Sequence, residues 1–305
     1  MGAYSIRDLE RLSGIKAHTI RIWEKRYGLI EPHRTNTNIR TYCDSELKKL
    51  LNVSMLNRSG IKISKIAGFT QEEITDKINQ LTNVVSDVES QIEGLTIAMI
   101  EFDEIKFERI LSRSIIQNGF EKTIIQLIYP FLVKIGLMWQ TSAINPAREH
   151  FITNLIRQKV IVAIDGQINA VNEDAGKLLF FLPEGEMHEI GILFFAYLAK
   201  NRGHQVIYLG QSVPTADIAE MVSVRSFDAL ITAFVSSINN KSILSYIEIL
   251  SEKTGHIPLL ISGLQTENLT GELPQNVTVI SSPGQFVNEL GKMTGRGEEE
   301  VNGKR

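Results

Sequence analysis

The sequence predicts a multidomain chain of the α plus α/β class, with helical domains in front of a five-stranded parallel sheet. From about residue 71 to 166, apolar residues recur at helical spacing and only two prolines interrupt them. From residue 176 onward, short apolar strands alternate with helices, which is typical of a doubly wound sheet. The first seventy residues differ again, because they hold 13 Lys and Arg against 6 Asp and Glu.

The amino-terminal segment predicts two helices, a tight turn and a wing. Ser5 followed by Asp8 is typical of a capped helix start. Gly14 provides the turn, and residues 17–27 form a second helix with apolar positions at helical spacing. The polar stretch 28–40 before the next helix predicts the wing. These elements outline a winged helix-turn-helix, whose second helix enters the major groove of double-stranded DNA.

The distribution of charge supports DNA binding by residues 1–70, which are called the head below. The chain has a net charge of −3, so the net charge of +7 over residues 1–70 leaves −10 on the remainder. Basic side chains on the second helix could read base edges, whereas those on the wing would hold phosphates. The alternatives are a small helical domain without nucleic acid, or basic residues that pair inside the chain. The predicted DNA contacts are Arg21, Lys25, Arg26, Arg34 and Arg40.

The rest of the chain predicts a helical bundle and then an α/β domain. Four helices joined by short loops indicate a bundle over residues 71–170. Residues 176–294 predict a Rossmann-like, doubly wound sheet, and the polar tail 295–305 is predicted to be disordered. The predicted strands are 178–182, 205–209, 229–235, 258–262 and 277–280, with helices at about 190–201, 214–224, 241–254 and 284–293.

The loop after the first strand holds the candidate ligand residues of the α/β domain. Open parallel sheets bind ligands at the carboxyl ends of their strands, which is where His188 lies. This histidine could ligate a metal, and Glu186 could hold its second ring nitrogen. Glu184, Glu186 and Glu189 would repel an anion, so the loop disfavours a phosphate. The alternative is an ordinary surface histidine.

A second candidate group lies in the helical segment. Trp139 is followed by nine residues and then by Glu149 and His150. Trp139 ends an apolar stretch and could simply belong to the core. Glu149 opens a predicted helix, where a carboxylate suits the helix dipole without any ligand.

Composition excludes several classes of function. The sole cysteine, Cys43, excludes an intramolecular disulfide and a multi-cysteine metal site, and suggests a reducing compartment. The sequence shows no signal peptide and no apolar run of about twenty residues, so we expect a cytoplasmic protein without a membrane span. No Ser-His-Asp arrangement or pair of carboxylates supports catalysis, so we expect a protein that is not an enzyme.

Three segments resemble known families. Residues 19–30 closely resemble the MerR family of winged-helix regulators, a likeness that covers about the first seventy residues. The acidic-x-His-x-x-Gly pattern of residues 186–191 resembles the cobalt-ligating loop of cobalamin-binding domains. Trp139 with Glu149 and His150 resembles the capping motif of adenosylcobalamin-dependent regulators. The order of the three domains resembles the CarH/LitR-type, MerR-family regulators, which use adenosylcobalamin as a light sensor.

The resemblance assigns roles to individual residues. It implies that His188 is the lower axial ligand of cobalt, with Glu186 as its partner, and that Gly191 allows close approach of the displaced nucleotide tail. It implies that Trp139, Glu149 and His150 enclose the upper face. It also implies an inverted-repeat operator and a homo-oligomer, either a dimer or a tetramer. Light would break the cobalt–carbon bond and shift the bundle against the sheet, which would alter assembly and DNA affinity.

The sequence also departs from the family pattern. The histidine that follows the tryptophan in light-sensing members is Gln140 here, so a second histidine ligand is not expected at that site. The Ser-x-Leu motif after the third strand is replaced at Ala233, and the first glycine of a Gly-Gly pair is replaced by Ser262 before Gly263. Ser262 and Gly263 are expected to border the tail pocket. The alternatives are a regulator that has lost cobalamin and answers a protein partner or another ligand, and a corrinoid carrier module for a methyltransferase.

Overall fold

The computed structural model describes residues 4–34, 38–83, 87–140, 144–167, 176–236, 240–267 and 269–293. It divides into two compact units, Met1–Leu155 and Ile156–Arg305. The tail 295–305, predicted to be disordered, lies outside the described residues.

The first unit begins with the predicted winged helix-turn-helix. Ser5 caps the first helix in a reciprocal box with Asp8. Gly14 ends the helix in the left-handed conformation, with a φ of 71°, which glycine adopts without strain. The wing is a two-stranded antiparallel hairpin. The elements from the amino terminus to residue 83 are α1 (Ile6–Ser13), α2 (Ala17–Tyr27), β1 (His33–Arg34), β2 (Arg40–Thr41), α3 (Asp44–Arg58), α4 (Ile63–Ile66) and α5 (Gln71–Asn83).

The bundle helices follow, and the last of them continues past Leu155 into the second unit. They are α6 (Val88–Glu101), α7 (Glu104–Asn118), α8 (Phe120–Thr123), a π-helical turn (Ile124–Ile128), α9 (Tyr129–Gln140) and α10 (Pro146–Asp165). Because α8, the π turn and α9 run on without a break, they count as one long helix beside α6, α7 and α10. The helix α5 packs on α3 instead. Phe151 of α10 packs edge-on against Phe102 at the end of α6, with ring centroids 5.3 Å apart.

The second unit contains the predicted parallel sheet. The strand order is β4-β3-β5-β6-β7. The strand β3, which comes first in the sequence of this sheet, therefore lies between β4 and β5. This order places a topological switch point between β3 and β5, where ligands bind in open α/β sheets. The elements are β3 (Lys177–Phe180), α11 (Ile190–Asn201), β4 (Gln205–Tyr208), α12 (Thr215–Val224), β5 (Ala229–Ala233), α13 (Asn240–Lys253), β6 (Leu259–Ser262), β7 (Val277–Ile280) and α14 (Pro283–Met293).

The first unit contains one long helical stretch of apolar character. Within the described residues, the continuous helical stretch Phe120–Trp139 has the length and the mean hydropathy, 1.2, of a membrane span. Glu121, Lys122 and Lys134 interrupt its apolar residues, which is why the sequence shows no clean run. The fully buried Ile128 and Phe131 face the interior of the first unit, as in the core helix of a bundle.

Candidate ligand site and nucleic-acid interface

The loop between β3 and α11 holds His188 against a buried carboxylate. Nδ1 of His188 lies 2.7 Å from Oε1 of Glu186, while 62% of the His188 side chain is exposed. Glu186 has no exposed surface and accepts hydrogen bonds from the backbone amides of Met187 and His188, each at 3.0 Å. A buried acceptor therefore fixes an exposed imidazole on the loop.

The ionisation of Glu186 follows from these contacts. Burial alone would raise the pKa of its carboxyl group. Hydrogen bonds from the His188 ring and from the backbone amides of Ser236, His188 and Val235 outweigh burial and hold the pKa well below its usual range. A carboxylate only accepts hydrogen bonds, so Nδ1 of a neutral His188 ring has the proton and its lone pair lies on Nε2.

Sequence reasoning missed the residues that complete this group. Ser236, just beyond β5, donates its hydroxyl to Glu186 at 2.9 Å and lies 3.2 Å from Nδ1 of His188. The backbone amides of Val235 and Ser236 donate to the other carboxylate oxygen at 2.8 and 2.7 Å. The loops after β3 and β5 thus meet at the switch point. The signal that could have found Ser236 is its position directly after the strand that neighbours β3.

The end of the same loop is held by a second buried carboxylate. Glu189 directly precedes α11 and is 4% exposed, and its carboxylate accepts hydrogen bonds from the side chains of Arg157 and Tyr208. Burial, followed by the bond to Glu189, raises the pKa of the Tyr208 hydroxyl, which therefore stays a donor. Two buried carboxylates on one loop thus serve to fix it.

The glycines near the site have different reasons to be glycine. Gly263 has a φ of 103°, and a Cβ there would lie 2.4 Å from the carbonyl oxygen of Phe234, so the fold itself requires glycine. A Cβ on Gly191 would meet no atom within 4 Å. Ser262 is 7% exposed and donates to the Thr232 carbonyl oxygen at 3.5 Å. Neither close packing nor a positive φ requires a glycine at position 191.

The helical candidates lie in the first unit. Trp139 is 48% exposed near the end of α9, which excludes the alternative that it is a core residue. Glu149 and His150 lie in the first turn of α10, where Nδ1 of His150 is 2.7 Å from Oε2 of Glu149. The His150 side chain is 69% exposed. Trp139 and His150 therefore present large, accessible surfaces on the unit to which they belong.

The second helix of the head exposes its predicted cations. Arg21, Lys25 and Arg26 are exposed on α2, whereas Ile20 and Trp23 are buried. Arg21 and Lys25 are four residues apart, so they share one helical face. An exposed basic face on the second helix of a helix-turn-helix is the arrangement that reads a major groove.

The wing cations divide into two kinds. Arg34 is exposed and hydrogen-bonds to Asn38 within the wing. Arg40 instead donates from Nε to Glu24 of α2 at 3.2 Å, and Tyr42 donates to the other oxygen of Glu24 at 3.1 Å. Arg40 therefore connects the wing to the second helix, one of the intramolecular pairings that the sequence left open.

Comparison with known proteins finds matches to the amino-terminal segment and to the helical segment after it. Residues 4–73 match the MerR HTH family of regulatory proteins, and residues 91–164 match the B12 binding domain. The chain is 26% identical over 227 residues to the HTH-type transcriptional repressor CarH of Myxococcus xanthus, covering 72% of this chain and 74% of that protein. It is 27% identical over 263 residues to the repressor CarA of the same organism, covering 85% and 86%.

The chain combines a MerR HTH domain with a B12-binding domain. Its fold also resembles the monomethylamine corrinoid protein of Methanosarcina barkeri, with a TM-score of 0.54 and 12% sequence identity. That match covers 67% of the regulator and 98% of the corrinoid protein, and it supports the fold alone. The recognition made from three short motifs is thereby confirmed, as is the fold class.

Among the described residues, no group of three or more His, Cys, Asp or Glu side chains is arranged to hold a metal ion. A site made by one histidine suits a metal that brings its other ligands with it, as cobalt does in a corrin ring. The residues at the β3–α11 loop therefore fit a cobalamin better than a bare cation.

Proposed function

We propose that the protein is a cytoplasmic, non-enzymatic repressor whose assembly and DNA affinity are set by cobalamin, with adenosylcobalamin as the form that it senses. The relatives that share its domains are named as transcriptional repressors. The DNA partner is an inverted-repeat operator, bound by a homo-oligomer. Several heads held together bind far more tightly than one, so control of assembly is control of repression.

One observation supports the cobalamin site above all others. Glu186 fixes the His188 ring from its Nδ1 side, and 62% of the His188 side chain is exposed at the switch point of the sheet. His188 would hold the cobalt from below. Gly191, whose missing side chain nothing in the packing explains, would allow the nucleotide tail to pass.

Trp139, Glu149 and His150 would enclose the upper face of the cofactor. Trp139, Glu149 and His150 are exposed enough to contact a planar cofactor, and Trp139 supplies an apolar surface of suitable size. Adenosylcobalamin supplies a cobalt–carbon bond that light can break. The part of these three residues is to enclose the adenosyl group and to change their packing when it is gone.

A spectrum of the purified protein tests this proposal. The protein is incubated with adenosylcobalamin in darkness, desalted, and its visible absorbance is measured before and after green light. We expect wild-type protein to retain the pigment and His188→Ala to lose it. His256→Asn is the matched control, because His256 lies at the amino end of the sheet and its φ of 59° suits asparagine.

Each outcome has a separate meaning. Colourless wild-type protein would overturn cobalamin binding and favour the alternative of a regulator that answers a protein partner or another ligand. Equal colour in His188→Ala would keep the cofactor but remove His188 as the cobalt ligand. Retained pigment that green light leaves unchanged would keep the cobalamin sensor and exclude the photoreceptor.

A further inference from the structure

The helix α3 of the DNA-binding head lies along the bundle helix α6 in the opposite direction. Lys48, early in α3, pairs with Glu101 at the end of α6. Arg58, at the end of α3, pairs with Glu89 at 3.2 Å and with the buried Glu93, both near the start of α6. The head is therefore docked on the bundle along the whole length of one helix.

A third link joins the head to α10. Arg148 donates from both terminal nitrogens to the two carboxylate oxygens of Asp44, at 2.8 and 2.9 Å, and Tyr4 donates to Asp44 at 2.8 Å. The Arg148 side chain is 12% exposed and that of Asp44 21%. A bidentate pair shielded from water is strong and directional, so it resists sliding of one helix past the other.

The two ends of this pair lie at functional positions. Arg148 directly precedes Glu149 and His150 in the first turn of α10. Asp44 begins α3, and its partner Tyr4 exchanges two backbone hydrogen bonds with Tyr42, at 2.8 and 2.9 Å.

Tyr42 extends the connection to the DNA-binding surface. Its hydroxyl donates to Glu24 of α2, and Glu24 also accepts from Arg40 of the wing. A continuous set of hydrogen bonds thus runs from the first turn of α10 to both elements that face DNA.

The interface has room to adjust. A cavity of about 40 Å³ lies between α3, α5, α6 and α7, with Met55, Ile78 and Gly94 in its lining. Packed interiors have few voids and low compressibility, so a void next to α3 lowers the resistance to a small displacement of that helix. The ionic links at the two ends of α3 would then guide that displacement.

We propose that the Arg148–Asp44 pair transmits the state of the first turn of α10 to α2 and the wing. This inference rests on the proposed function, because it takes Glu149 and His150 to be the residues that respond to the cofactor. A displacement of that turn moves Arg148, and Asp44 then moves α3, Tyr42 and the wing. In this scheme Arg148 is a positioning residue that acts through Asp44.

The test compares DNA affinity with and without cobalamin in Arg148→Gln, Arg148→Lys and Asp44→Asn. We expect the cofactor-dependent ratio of affinities to fall to within about twofold of unity in Arg148→Gln and Asp44→Asn. Arg148→Lys keeps the charge without the bidentate geometry and should retain part of the ratio. The double variant Asp44→Asn, Arg148→Gln should behave like either single variant, because both remove the same link.

Two further measurements separate this inference from the proposed function. Absorbance after desalting must show that Arg148→Gln still binds cobalamin; a full affinity ratio in that variant would overturn the link. If wild-type protein binds no cobalamin, the proposed function fails. Amide hydrogen exchange of residues 44–48 in the cofactor-free protein then tests whether Arg148 holds the start of α3. Faster exchange in Arg148→Gln than in Glu10→Gln, which breaks the exposed Lys16–Glu10 pair, supports the link, and equal exchange overturns it.

Discussion

Oε1 of Glu186 lies 2.7 Å from Nδ1 of His188, and the same carboxylate accepts hydrogen bonds from two loops of the sheet. The Glu186 carboxylate therefore has two separate roles. It orients the imidazole, and it closes the loop after β3 onto the loop after β5. A substitution at Glu186 should affect the stability of the fold as well as the binding of a ligand.

Glu186→Gln should lower the free energy of unfolding by about 2–3 kcal/mol at neutral pH, because an amide cannot accept from all of the buried donors. The lowered pKa of Glu186 means that its stabilisation is present above the ordinary carboxyl pKa and is lost as the pH falls toward the folded value. The difference between wild type and variant should therefore shrink in acid. Denaturant unfolding at several pH values measures it, with the exposed Glu184→Gln as control. A constant difference down to acidic pH would contradict this account.

The variants Gly263→Ala and Gly191→Ala separate an effect on folding stability from an effect on cobalamin binding. Gly263→Ala must place a Cβ against the Phe234 backbone at a positive φ, so we expect a loss of about 2–4 kcal/mol in unfolding free energy. Gly191→Ala lies in a helix with open space around it, so stability should stay the same or rise by up to about 1 kcal/mol. Cobalamin retention should fall in Gly191→Ala nonetheless. Unchanged retention would show that Gly191 does not border the cofactor.

The elements of the sheet could be predicted from the sequence because buried parallel strands are short apolar runs between turn residues. The strand Val277–Ile280 has the predicted bounds. The strand predicted over 229–235 ends at Ala233 instead. Its last residue, Val235, turns its backbone amide to Glu186 and leaves the ladder, which no apolar pattern can reveal.

Only some contacts of the candidate site could be predicted from the sequence. Glu186 and His188 are two residues apart on one loop, so their contact could be expected from local sequence. Ser236 is 48 residues from His188, and Arg148 is 104 residues from Asp44. Contacts at such separations depend on strand order and helix packing, which periodicity does not specify.

The cluster at the α3–α6 interface should make stability depend on pH. Burial raises the pKa of Glu93 to about 7, although the nearby cations of Arg58 and Lys134 lower it in part. A raised carboxyl pKa stabilises the fold below the ordinary value of 4.5, and this contribution is lost as the pH rises through about 7. Wild-type protein should lose up to about 3 kcal/mol relative to Glu93→Gln between pH 5 and pH 8. Glu89→Gln, on the exposed side of Arg58, should show no such difference in denaturant unfolding.

The exposed cations of the head should make DNA affinity depend on salt concentration. If Lys25 and Arg34 hold phosphates, replacing either with alanine should weaken DNA binding about equally for all sequences. It should also reduce the slope of log affinity against log salt by about 1, because fewer counterions are released. Arg21→Ala should instead relax the preference for one base pair if it reads a base edge. Fluorescence anisotropy with operator and scrambled duplexes from 50 to 200 mM salt measures both effects. Lys253→Ala removes the same charge from an exposed position in the second unit, and a reduced slope in that variant would show that net charge alone explains the result.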